Sequence, residues 1–349
     1  MVGRLVFAVP GDLATPTGGY AYDRRMIAEL RRLGWSVDVV DLGNGFPHPD
    51  ATQRAAAQAR LLAVPAGRPI VVDGLAFGVL PEVAEQLSGR PLIALVHHPL
   101  ALETGVGPAE AETLRNSERR ALAATRGVVV TSEATARILT ADFAVPAARI
   151  TVARPGNDAV TAAHRDGDGT VRLLSVGAVV PRKGFDVLVA ALATLADLPW
   201  RLTIAGDRTR DPEAAARLDR DIARHKLGDR IAVTGAVSNE RIAELYAEAD
   251  AFVLASRFEG YGMALADAIA YGLPVVATKA GAIADTVPAA ASLLVAPDDV
   301  GALAAALRRL IERPDERRRL AVAAGVAARE LPSWADSARR FSRAIEAVT

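Results

Sequence analysis

Short apolar runs alternate with longer amphipathic segments along nearly the whole chain, and this alternation limits the fold more than any other feature. Most of the runs are apolar without interruption, as expected for strands that are covered on both faces. The predicted strands are residues 5–9, 37–42, 70–73, 92–96, 128–131, 171–176, 202–205, 231–233, 251–254 and 275–277. Between them lie helical patterns such as the stripe of Met26, Ile27, Leu30 and Leu33, which ends at Gly34. The alternation predicts an α/β fold in which parallel sheets have helices on both sides.

The alternation is interrupted by a polar, glycine-rich segment at residues 164–170, which is typical of a linker. A chain of 349 residues suggests two domains when a domain holds ~150 residues. We therefore predict two doubly wound, Rossmann-like domains that meet at a cleft. The N-terminal domain is expected over residues 1–165 and the C-terminal domain over residues 170–332.

One more helix is predicted over residues 333–349. Ser333 followed by Asp336 resembles a capping box, with Asp in the position usually held by Glu. The helix would carry one apolar stripe, formed by Trp334, Ala338, Phe341 and Ile345. The sequence pattern leaves open whether the helix docks on its own domain or braces both domains; we expect it to pack back on the N-terminal domain.

Charge and cysteine content exclude several classes of function. Lys and Arg together number 41, as do Asp and Glu, so the formal net charge is zero. Proteins that bind nucleic acid carry a basic surface, and we expect no nucleic acid partner here; a local basic site remains compatible with this balance. The chain has no cysteine, which excludes disulfides, zinc ribbons, iron–sulfur clusters and thiol catalysis.

The sequence also predicts a cytoplasmic protein. The apolar run at residues 5–9 is too short for a signal peptide, and no later stretch reaches the ~18 consecutive apolar residues of a membrane span. The sequence has two basic clusters. The first contains Arg115, Arg119 and Arg120, and the second contains residues 317–319. Acidic residues accompany both clusters, so we expect solvated helix faces. A weak association of the first cluster with a membrane surface is the alternative.

The segment 258–272 carries the most informative polar residues. After the predicted strand 251–254 it contains Glu259, Gly260, Tyr261, Gly262 and Met263. A helix is predicted to begin near Gly262, and its N-terminal N–H groups would suit a phosphate. Asp267 is the only charged residue between Glu259 and Lys279, and a carboxylate in an apolar helix needs partners. Ribose or sugar hydroxyls would serve; a structural arginine or a backbone amide is the alternative.

Arg182 and Lys183 form a second candidate site between the strand 171–176 and the following helix. Two adjacent cations at a helix start oppose the helix dipole at a cost of about 0.3–1 kcal/mol each, and a bound anion would reverse that contribution. The segment is not a Walker A loop, because Gly184 takes the place of the Ser or Thr after the lysine. Taken alone, it fits either an anion site or a solvated pair of cations.

Two shorter motifs lie in the N-terminal half. Gly18 and Gly19 are expected in a loop between the first strand and the first helix, where open α/β sheets bind ligands, although paired glycines are also common in turns. His97 and His98 follow the strand 92–96, and one of them should face the cleft because successive strand side chains point to opposite faces. A packed or solvated pair is the alternative. Neither histidine has a metal-binding context, so we predict no metal site.

Together these motifs resemble the retaining glycosyltransferases of family 4, which have the GT-B fold. The family signature, S-x-x-E-G-F/Y-G-x4-E-A-x-A-x-G-x-P-V-V, is similar to residues 256–276, SRFEGYGMALADAIAYGLPVV. The V-G-x5-K-G segment at residues 176–184, Gly206-Asp207 and residues 152–158 also fit. The resemblance spans nearly the whole chain and is most specific in its C-terminal half.

The resemblance implies a role for each matching residue. Glu259 matches the Glu that contacts donor-sugar hydroxyls, and Asp267 stands where the family usually has a second Glu that binds the ribose. Arg182 and Lys183 match the pair that clamps the donor diphosphate. The implied catalytic set is His97, Glu259, Arg182 and Lys183. The implied donor-binding set is Gly18, Gly19, Arg182, Lys183, Glu259, Gly260, Tyr261, Gly262, Met263 and Asp267.

Two further positions follow from the same resemblance. His97 matches the family's active-site histidine after the fourth strand, which touches the donor sugar, and His98 is the reserve candidate. Gly281 resembles the second glycine of a paired-glycine loop. Ala280 replaces the first glycine there, and Asp285 replaces a usual Glu.

The reaction implied by the resemblance moves a sugar from a UDP- or GDP-sugar donor to a hydroxyl of a sugar, lipid-linked or small-molecule acceptor, with retention of anomeric configuration. No clear nucleophilic carboxylate stands out on the N-terminal side, which fits a front-face mechanism in which the leaving phosphate helps to take the acceptor proton. The fold usually needs no metal, so no cofactor is expected.

Two other functions fit the same motifs. One is a sugar-nucleotide epimerase of the same fold, which needs no acceptor; the spacing of Glu259 and Asp267 and the Arg182-Lys183 pair favour a transferase. The other is a non-catalytic homologue that binds sugar nucleotides, against which Glu259, Lys183 and His97 argue. The motifs leave the nucleotide base, the sugar, the acceptor and the oligomeric state open.

Overall fold

The computed structural model describes residues 3–158, 160 and 169–349 and divides the chain into two compact units. The first unit comprises Met1–Gly156 together with Pro332–Thr349, and the second comprises Asn157–Leu331. Each unit holds one six-stranded parallel sheet with helices, which confirms the predicted α/β class. Of the predicted linker, residues 164–168 lie outside the described residues.

The first unit is built on strands that pair in the order β2-β1-β3-β4-β5-β6. These strands are β1 Arg4–Val9, β2 Ser36–Asp41, β3 Ile70–Asp73, β4 Leu92–Val96, β5 Gly127–Val130 and β6 Ile150–Val152. The helices before the unit boundary are α1 Gly18–Arg32, α2 Ala51–Leu62, α3 Gly74–Phe77, α4 Pro81–Gln86, α5 Pro108–Ala123 and α6 Glu133–Asp142.

The second unit has the sheet order β12-β11-β10-β7-β8-β9. Its strands are β7 Val171–Val176, β8 Trp200–Ala205, β9 Ile231–Gly235, β10 Ala251–Leu254, β11 Val275–Thr278 and β12 Ser292–Val295. Its helices are α7 Phe185–Ala193, α8 Pro212–Arg224, α9 Asn239–Glu248, α10 Met263–Ala270, α11 Ile283–Thr286, α12 Val300–Glu312 and α13 Pro314–Ala327.

In each sheet the strand order reverses at one point, and this positions the candidate sites. The reversal lies between β1 and β3 in the first unit and between β7 and β10 in the second. At such a point the two following connections leave toward opposite faces, so a crevice opens beyond the carboxyl ends of the two strands. The segments that follow β1, β3, β7 and β10 are therefore the expected places for ligand contacts.

The central strands are buried because helices cover both faces of each sheet. Every residue of β3, β4, β5, β10 and β11 is buried. Valine, isoleucine and leucine dominate these strands, and such β-branched and apolar side chains pack well between two helical layers.

The C-terminal helix α14, Trp334–Glu346, packs on the first unit against α1, β5 and β6. Ser333 caps it by accepting a hydrogen bond from the backbone N–H of Asp336. The predicted apolar stripe is buried. The Phe341 ring stacks on Phe7 with 6.2 Å between centroids, and Trp35 Nε1 donates to Ser342 Oγ at 2.9 Å. The segment is thus part of the unit that begins the chain.

Two of the observed strands were not predicted, and the loop predicted at Gly18 and Gly19 is part of a helix instead. β6 and β12 are short edge strands of which most residues are only half-buried, so they lack the uninterrupted apolar run that marks the central strands. Gly18 and Gly19 lie in the first turn of α1 and not in a loop before it, because Thr17 caps the helix by accepting from Tyr20 N. Within the described ranges, no helix combines the length and apolar composition needed to cross a membrane.

Candidate active site

Arg182 and Lys183 lie in a single 3₁₀ turn, Pro181–Lys183, directly before α7. Gly184 joins this turn to the helix with a φ of 64°. A Cβ on Gly184 would lie 2.1 Å from the carbonyl oxygen of Ala255, so glycine is needed both for the left-handed backbone and for the close approach to the end of β10. The turn is thereby held against the segment that follows β10.

Glu259 is the group on which the two cations converge. Its carboxylate is buried, and its Oε1 accepts from Lys183 Nζ at 2.6 Å and from Ser256 Oγ at 2.6 Å. Arg182 Nη1 lies 3.5 Å from the same oxygen and donates to the carbonyl of Phe258 at 2.8 Å. The structure therefore brings together three predicted site residues that are 76 and 77 positions apart in the chain.

The electrostatic consequence is that Glu259 stays a carboxylate. Burial alone would raise its pKa, but the charges of Lys183 and Arg182 and the hydrogen bonds from Lys183 and Ser256 outweigh burial and lower the pKa below its usual value. A carboxylate in this state accepts hydrogen bonds from hydroxyl groups and stabilises nearby positive charge. It is not a proton donor near neutral pH.

Three more glycines let the backbone close around this ion pair. A Cβ on Gly177 would lie 2.9 Å from Lys183 Cε, and one on Gly206 would lie 1.9 Å from the carbonyl of Gly177. A Cβ on Gly281 would lie 2.2 Å from the carbonyl of Glu259, which also accepts from Ala282 N at 2.8 Å. The Gly281 segment thus supports the backbone of Glu259 although Ala280 and Asp285 depart from the family pattern.

The predicted helix start is confirmed at α10. Gly262 is its N-cap residue, with a φ of 91°, and Met263 is the first helical residue. Tyr261 is buried, and its carbonyl accepts from Thr286 Oγ1 at 2.6 Å. Gly260 lies between Glu259 and this cap, so residues 259–263 connect the ion pair directly to the helix terminus.

Asp267 lies on α10, and its Oδ1 accepts from Asn157 Nδ2 at 3.0 Å. Burial, together with the negative charge of Asp158, raises the pKa of Asp267 to about 7 against the opposing hydrogen bond from Asn157. The observed partner of Asp267 is thus the side-chain amide of Asn157. The sequence had offered a structural arginine or a backbone amide as the alternative to a ligand hydroxyl. The ribose role of Asp267 stays a prediction.

In the first unit, Gly19 and His97 lie against each other. A Cβ on Gly19 would be 3.3 Å from Cδ2 of the His97 ring, whereas a Cβ on Gly18 would have no heavy atom within 4 Å. His98 instead points to Glu103, with 3.2 Å between its Nε2 and the Glu103 Oε2. His97, the first choice of the two histidines, is therefore the one beside the glycine pair.

His97 also contacts two buried carboxyl groups that the sequence did not single out. Its Nε2 is 3.2 Å from Asp23 Oδ1 and 3.3 Å from Asp73 Oδ2. Burial alone would lower the pKa of His97, but Asp23 and Asp73 outweigh burial and raise the pKa to about 10. Burial raises the pKa of Asp23 to about 7, with His97 opposing the shift and Asp73 adding to it.

Weak sequence signals for these two residues exist. Asp73 is the last residue of β3, at the carboxyl edge beside the reversal of strand order, and Asp23 is one helical turn after Gly19. Asp23, Asp73 and His97 are also the grouping of His and carboxylate side chains that the described part of the chain offers to a metal ion. Since one ring nitrogen forms a hydrogen bond with Asp23 and lies at ion-pair distance from Asp73, a ring proton accounts for the geometry, and we treat the three residues as one ionic cluster.

The first basic cluster is a solvated helix face, as expected, whereas Arg317 of the second cluster is half-buried and donates to the carbonyls of Leu310 and Ile311. Arg115 pairs with Glu112 on the same helix at 2.9 Å, and Arg120 pairs with Glu82 and Glu85 at 3.2 and 3.0 Å. In the other cluster, Arg318 pairs with Asp315. These cations are neutralised locally at the surface, where ion pairs contribute little to stability.

The fold places the protein in a known structural class. Sucrose-phosphate synthase from Thermosynechococcus elongatus superposes with a TM-score of 0.80 at 22% identity, over 97% of this chain and 98% of that one. Anabaena Alr3699/HepE, solved in complex with UDP and glucose, superposes with a TM-score of 0.79 at 18% identity, over 98% and 100% of the two chains. Two α/β units of this kind define the GT-B fold, which confirms the predicted fold class.

The sequence comparisons then define the family. The model for glycosyl transferases group 1 matches residues 160–325. The MMP alpha-(1->4)-mannosyltransferase of Mycolicibacterium hassiacum is 30% identical over 309 residues, which cover 83% of this chain and 73% of that protein. The chain belongs to the glycosyl transferases group 1 family, and it is a glycosyltransferase.

Other relatives match over a smaller part of their length. The D-inositol 3-phosphate glycosyltransferase of Frankia alni is 33% identical over 198 residues, 52% of this chain and 47% of that protein. The glycogen synthase of Mycobacterium tuberculosis is 33% identical over 183 residues, 51% of this chain and 43% of that protein. The chain thus spans about half or less of these two relatives.

Proposed function

We propose that this chain is a retaining glycosyltransferase that moves a sugar from a UDP- or GDP-sugar to an acceptor hydroxyl. The observation that carries the proposal is the convergence of Arg182 and Lys183 on the buried carboxylate of Glu259, beside the reversal of strand order in the second unit. The complexes of Alr3699/HepE with UDP and with UDP-glucose support a nucleotide-sugar donor.

Arg182 and Lys183 would act on the leaving group. Negative charge grows on the diphosphate as its bond to the sugar breaks, so a cation held in place stabilises the transition state more than the ground state. Lys183 is held by Glu259 and by close packing over Gly177, and Arg182 is held by the Phe258 carbonyl. Little rearrangement is then needed at the moment of reaction.

Glu259 would act on the sugar. As a carboxylate with a lowered pKa, it accepts hydrogen bonds from sugar hydroxyls and stabilises positive charge near the anomeric carbon. The same charge state makes it unsuitable as a general acid.

The proposed reaction keeps the anomeric configuration and needs no metal ion. The two carboxyl groups beside His97, Asp23 and Asp73, are buried and engaged by that ring, so neither is offered as an attacking nucleophile. This supports a front-face course in which the leaving phosphate takes the acceptor proton. The acceptor is a sugar, a lipid-linked molecule or a small molecule.

Substitution Lys183→Ala tests the diphosphate role. We expect weaker binding of the nucleoside diphosphate in calorimetric titration, together with a rate lower by ~10²–10³, because the cation meets a charge present in both the bound and the transition states. Arg201→Ala is the matched control. Arg201 is an exposed cation near the amino end of β8, whereas Lys183 lies beyond the carboxyl ends of the strands of the same sheet. Unchanged affinity in Lys183→Ala would count against the phosphate role.

The donor and the stereochemistry need a second experiment. A thermal-shift screen with uridine, guanosine and adenosine diphosphates selects the base, and NMR of the product formed from the matching sugar nucleotide reports the anomeric configuration. We expect the donor configuration to be kept. An inverted product would contradict the retaining course, and an epimerised donor without acceptor would replace transfer by epimerisation. Binding without turnover across a broad acceptor panel would indicate a non-catalytic homologue.

A further inference from the structure

The side chain of His97 lies between two buried carboxyl groups of the first unit, and the proposed function assigns no role to that arrangement. One nitrogen, Nε2, lies 3.2 Å from Asp23 Oδ1 and 3.3 Å from Asp73 Oδ2. Both carboxyl side chains are nearly inaccessible, at 0% and 3% exposure, while the histidine side chain is 20% exposed. The ring is thus anchored at one edge inside the unit and reaches its surface at the other.

Each carboxyl group is fixed by a different element. Asp73 ends β3 and caps α3, with its Oδ1 accepting from Leu75 N at 2.7 Å. Asp23 lies on α1, and its Oδ2 has no hydrogen-bond partner among the residues that the structure describes. A buried carboxyl group with one unpartnered oxygen is costly unless a cation or a proton compensates it, and His97 is the adjacent group able to supply either.

The remaining contacts fix the orientation of His97. Thr131 Oγ1 donates to the His97 carbonyl at 3.3 Å, and the Tyr22 ring meets the imidazole edge to face at 5.4 Å between centroids. Tyr22 is itself held by a hydrogen bond from its hydroxyl to the Ala153 carbonyl at 2.9 Å. The titratable groups that face the ring are therefore Asp23 and Tyr22 from α1 and Asp73 from the end of β3.

We propose that Asp23 and Asp73 are positioning residues that keep His97 as an imidazolium beside Gly19, so that the ring is a hydrogen-bond donor of the first unit and not a general base. A ring N–H that hydrogen-bonds to Asp23 and lies at ion-pair distance from Asp73 stabilises the protonated ring, because an ionised carboxylate favours the cationic form of its neighbour. Both ring nitrogens of an imidazolium carry hydrogen, so the ring has no basic lone pair. It cannot take the proton of an acceptor hydroxyl.

The role of this charge in transfer rests on the proposed function, whereas the charge state itself does not. If His97 is a cation throughout the neutral range, the acceptor proton must go elsewhere, and the leaving phosphate is the group available in the front-face course. The cluster would then exclude histidine-assisted attack by the acceptor.

NMR of the free protein with histidine labelled by ¹³C and ¹⁵N tests the charge state. The His97 signals are assigned by their loss in His97→Gln. In the wild type we expect the His97 signals to keep imidazolium shifts from about pH 6 to about pH 9. An unperturbed histidine, with a pKa of about 6.5, would become neutral over the same range. In Asp23→Asn and in Asp73→Asn we expect the apparent pKa of His97 to fall by at least about one unit.

Glu103→Gln is the matched control, because Glu103 is the carboxylate paired with the neighbouring His98. It should leave the His97 signals in place. Should either asparagine variant fail to fold, the wild-type titration alone decides. Complete titration of wild-type His97 below pH ~7.5 would overturn the proposal, as would unchanged titration in both variants or a His97 spectrum that shifts on addition of EDTA.

Kinetics supply an independent readout once a donor and an acceptor are known. The pH profile of kcat in Asp73→Asn should gain an inflection from His97 that the wild type lacks, while exposed-site variants keep the wild-type profile. Absence of any transfer would remove the proposed function without affecting the NMR result, so the two failures are distinguishable.

Discussion

Glu259 accepts two hydrogen bonds on one carboxylate oxygen and has a second cation within ion-pair distance. A buried charge with this many partners is stable, but removal of any partner leaves the others uncompensated. The same reasoning applies to the cluster of Asp23, Asp73 and His97. Single substitutions in either group should therefore change charge states as well as contacts.

Glu259→Gln keeps the shape of the side chain and removes its charge. We expect kcat to fall by at least about tenfold while nucleoside diphosphate affinity is kept or increased, because the carboxylate acts on the sugar and its neutralisation removes the anion that offsets Lys183 and Arg182. Steady-state kinetics and calorimetry measure both quantities, and the exposed Glu213→Gln is the control. A near-normal kcat would remove Glu259 from the site.

Asp267→Asn tests the effect of its raised pKa on stability. The folded-state pKa of about 7 lies above the unfolded value of 3.8, so the folded protein binds this proton more tightly. Stability is therefore lost as pH rises from about 4 to about 7, by up to about 4 kcal/mol at the upper end. Asp267→Asn should raise Tm relative to the wild type at pH 8 and change it little at pH 4.

Scanning fluorimetry at the two pH values measures this difference. Asp299→Asn is a useful control, since Asp299 caps α12 at the surface and should not reproduce the pattern. An equal shift of Tm at both pH values would show that the effect of Asp267→Asn does not come from the charge of Asp267.

Among the elements, the 3₁₀ turn and α7 illustrate how a short connection places a functional group. The turn ends at Gly184, whose left-handed backbone starts α7 and whose missing side chain admits the end of β10. The motif V-G-x5-K-G therefore combines a cation with the two glycines that let its surroundings close. The sequence indicated the motif, but the packing partner of each glycine follows only from strand order.

Gly184→Ala should destabilise the second unit by more than about 3 kcal/mol, because its Cβ would overlap a backbone carbonyl in addition to straining the backbone. Gly235→Ala is the matched control: its φ is 73°, but a Cβ there has no heavy atom within 4 Å. This control should cost about 1–2 kcal/mol. Denaturation curves followed at Trp200 compare the two, and equal losses would contradict the role of close packing.

For the molecule as a whole, each unit has buried apolar clusters of its own, so we expect each unit to have its own local stability. The C-terminal helix α14 belongs to the first unit although it follows the second in the chain. Its contacts with Phe7, Tyr22 and Trp35 join the end of the chain to the first strand and first helix. The first unit is thus completed only when the last segment is in place.

Phe341→Ala should destabilise the first unit by about 3–5 kcal/mol, because the fully buried Phe341 ring of α14 no longer packs against Phe7. Hydrogen exchange followed by mass spectrometry should show lost protection in α1, β5 and β6 and unchanged protection in α7 and β10. Val322→Ala, at a site that is 69% exposed, should change neither set. Equal loss in both units would mean that they unfold as one cooperative body.

Many of the strands and helices could be predicted from the sequence because they depend on patterns that extend over only a few residues. Uninterrupted apolar runs identified the central strands, and the cap at Ser333 with its apolar stripe identified α14. The edge strands β6 and β12 were missed because a strand covered on fewer sides carries a weaker pattern. The motif residues Arg182, Lys183 and Glu259 were found because each lies in a short, recognisable segment.

The sequence by itself determined the alternation of strands and helices, the two-unit organisation and the identity of the residues around the ion pair. Only the tertiary structure decided that Lys183 and Glu259 meet, that His97 and not His98 lies beside Gly19, and that Asp23 and Asp73 hold its ring. The physical reason is that propensity, capping and apolar periodicity act over a few residues. Which strand ends become neighbours depends on the order of strands in the sheet, and that order is set by packing between segments far apart in the chain.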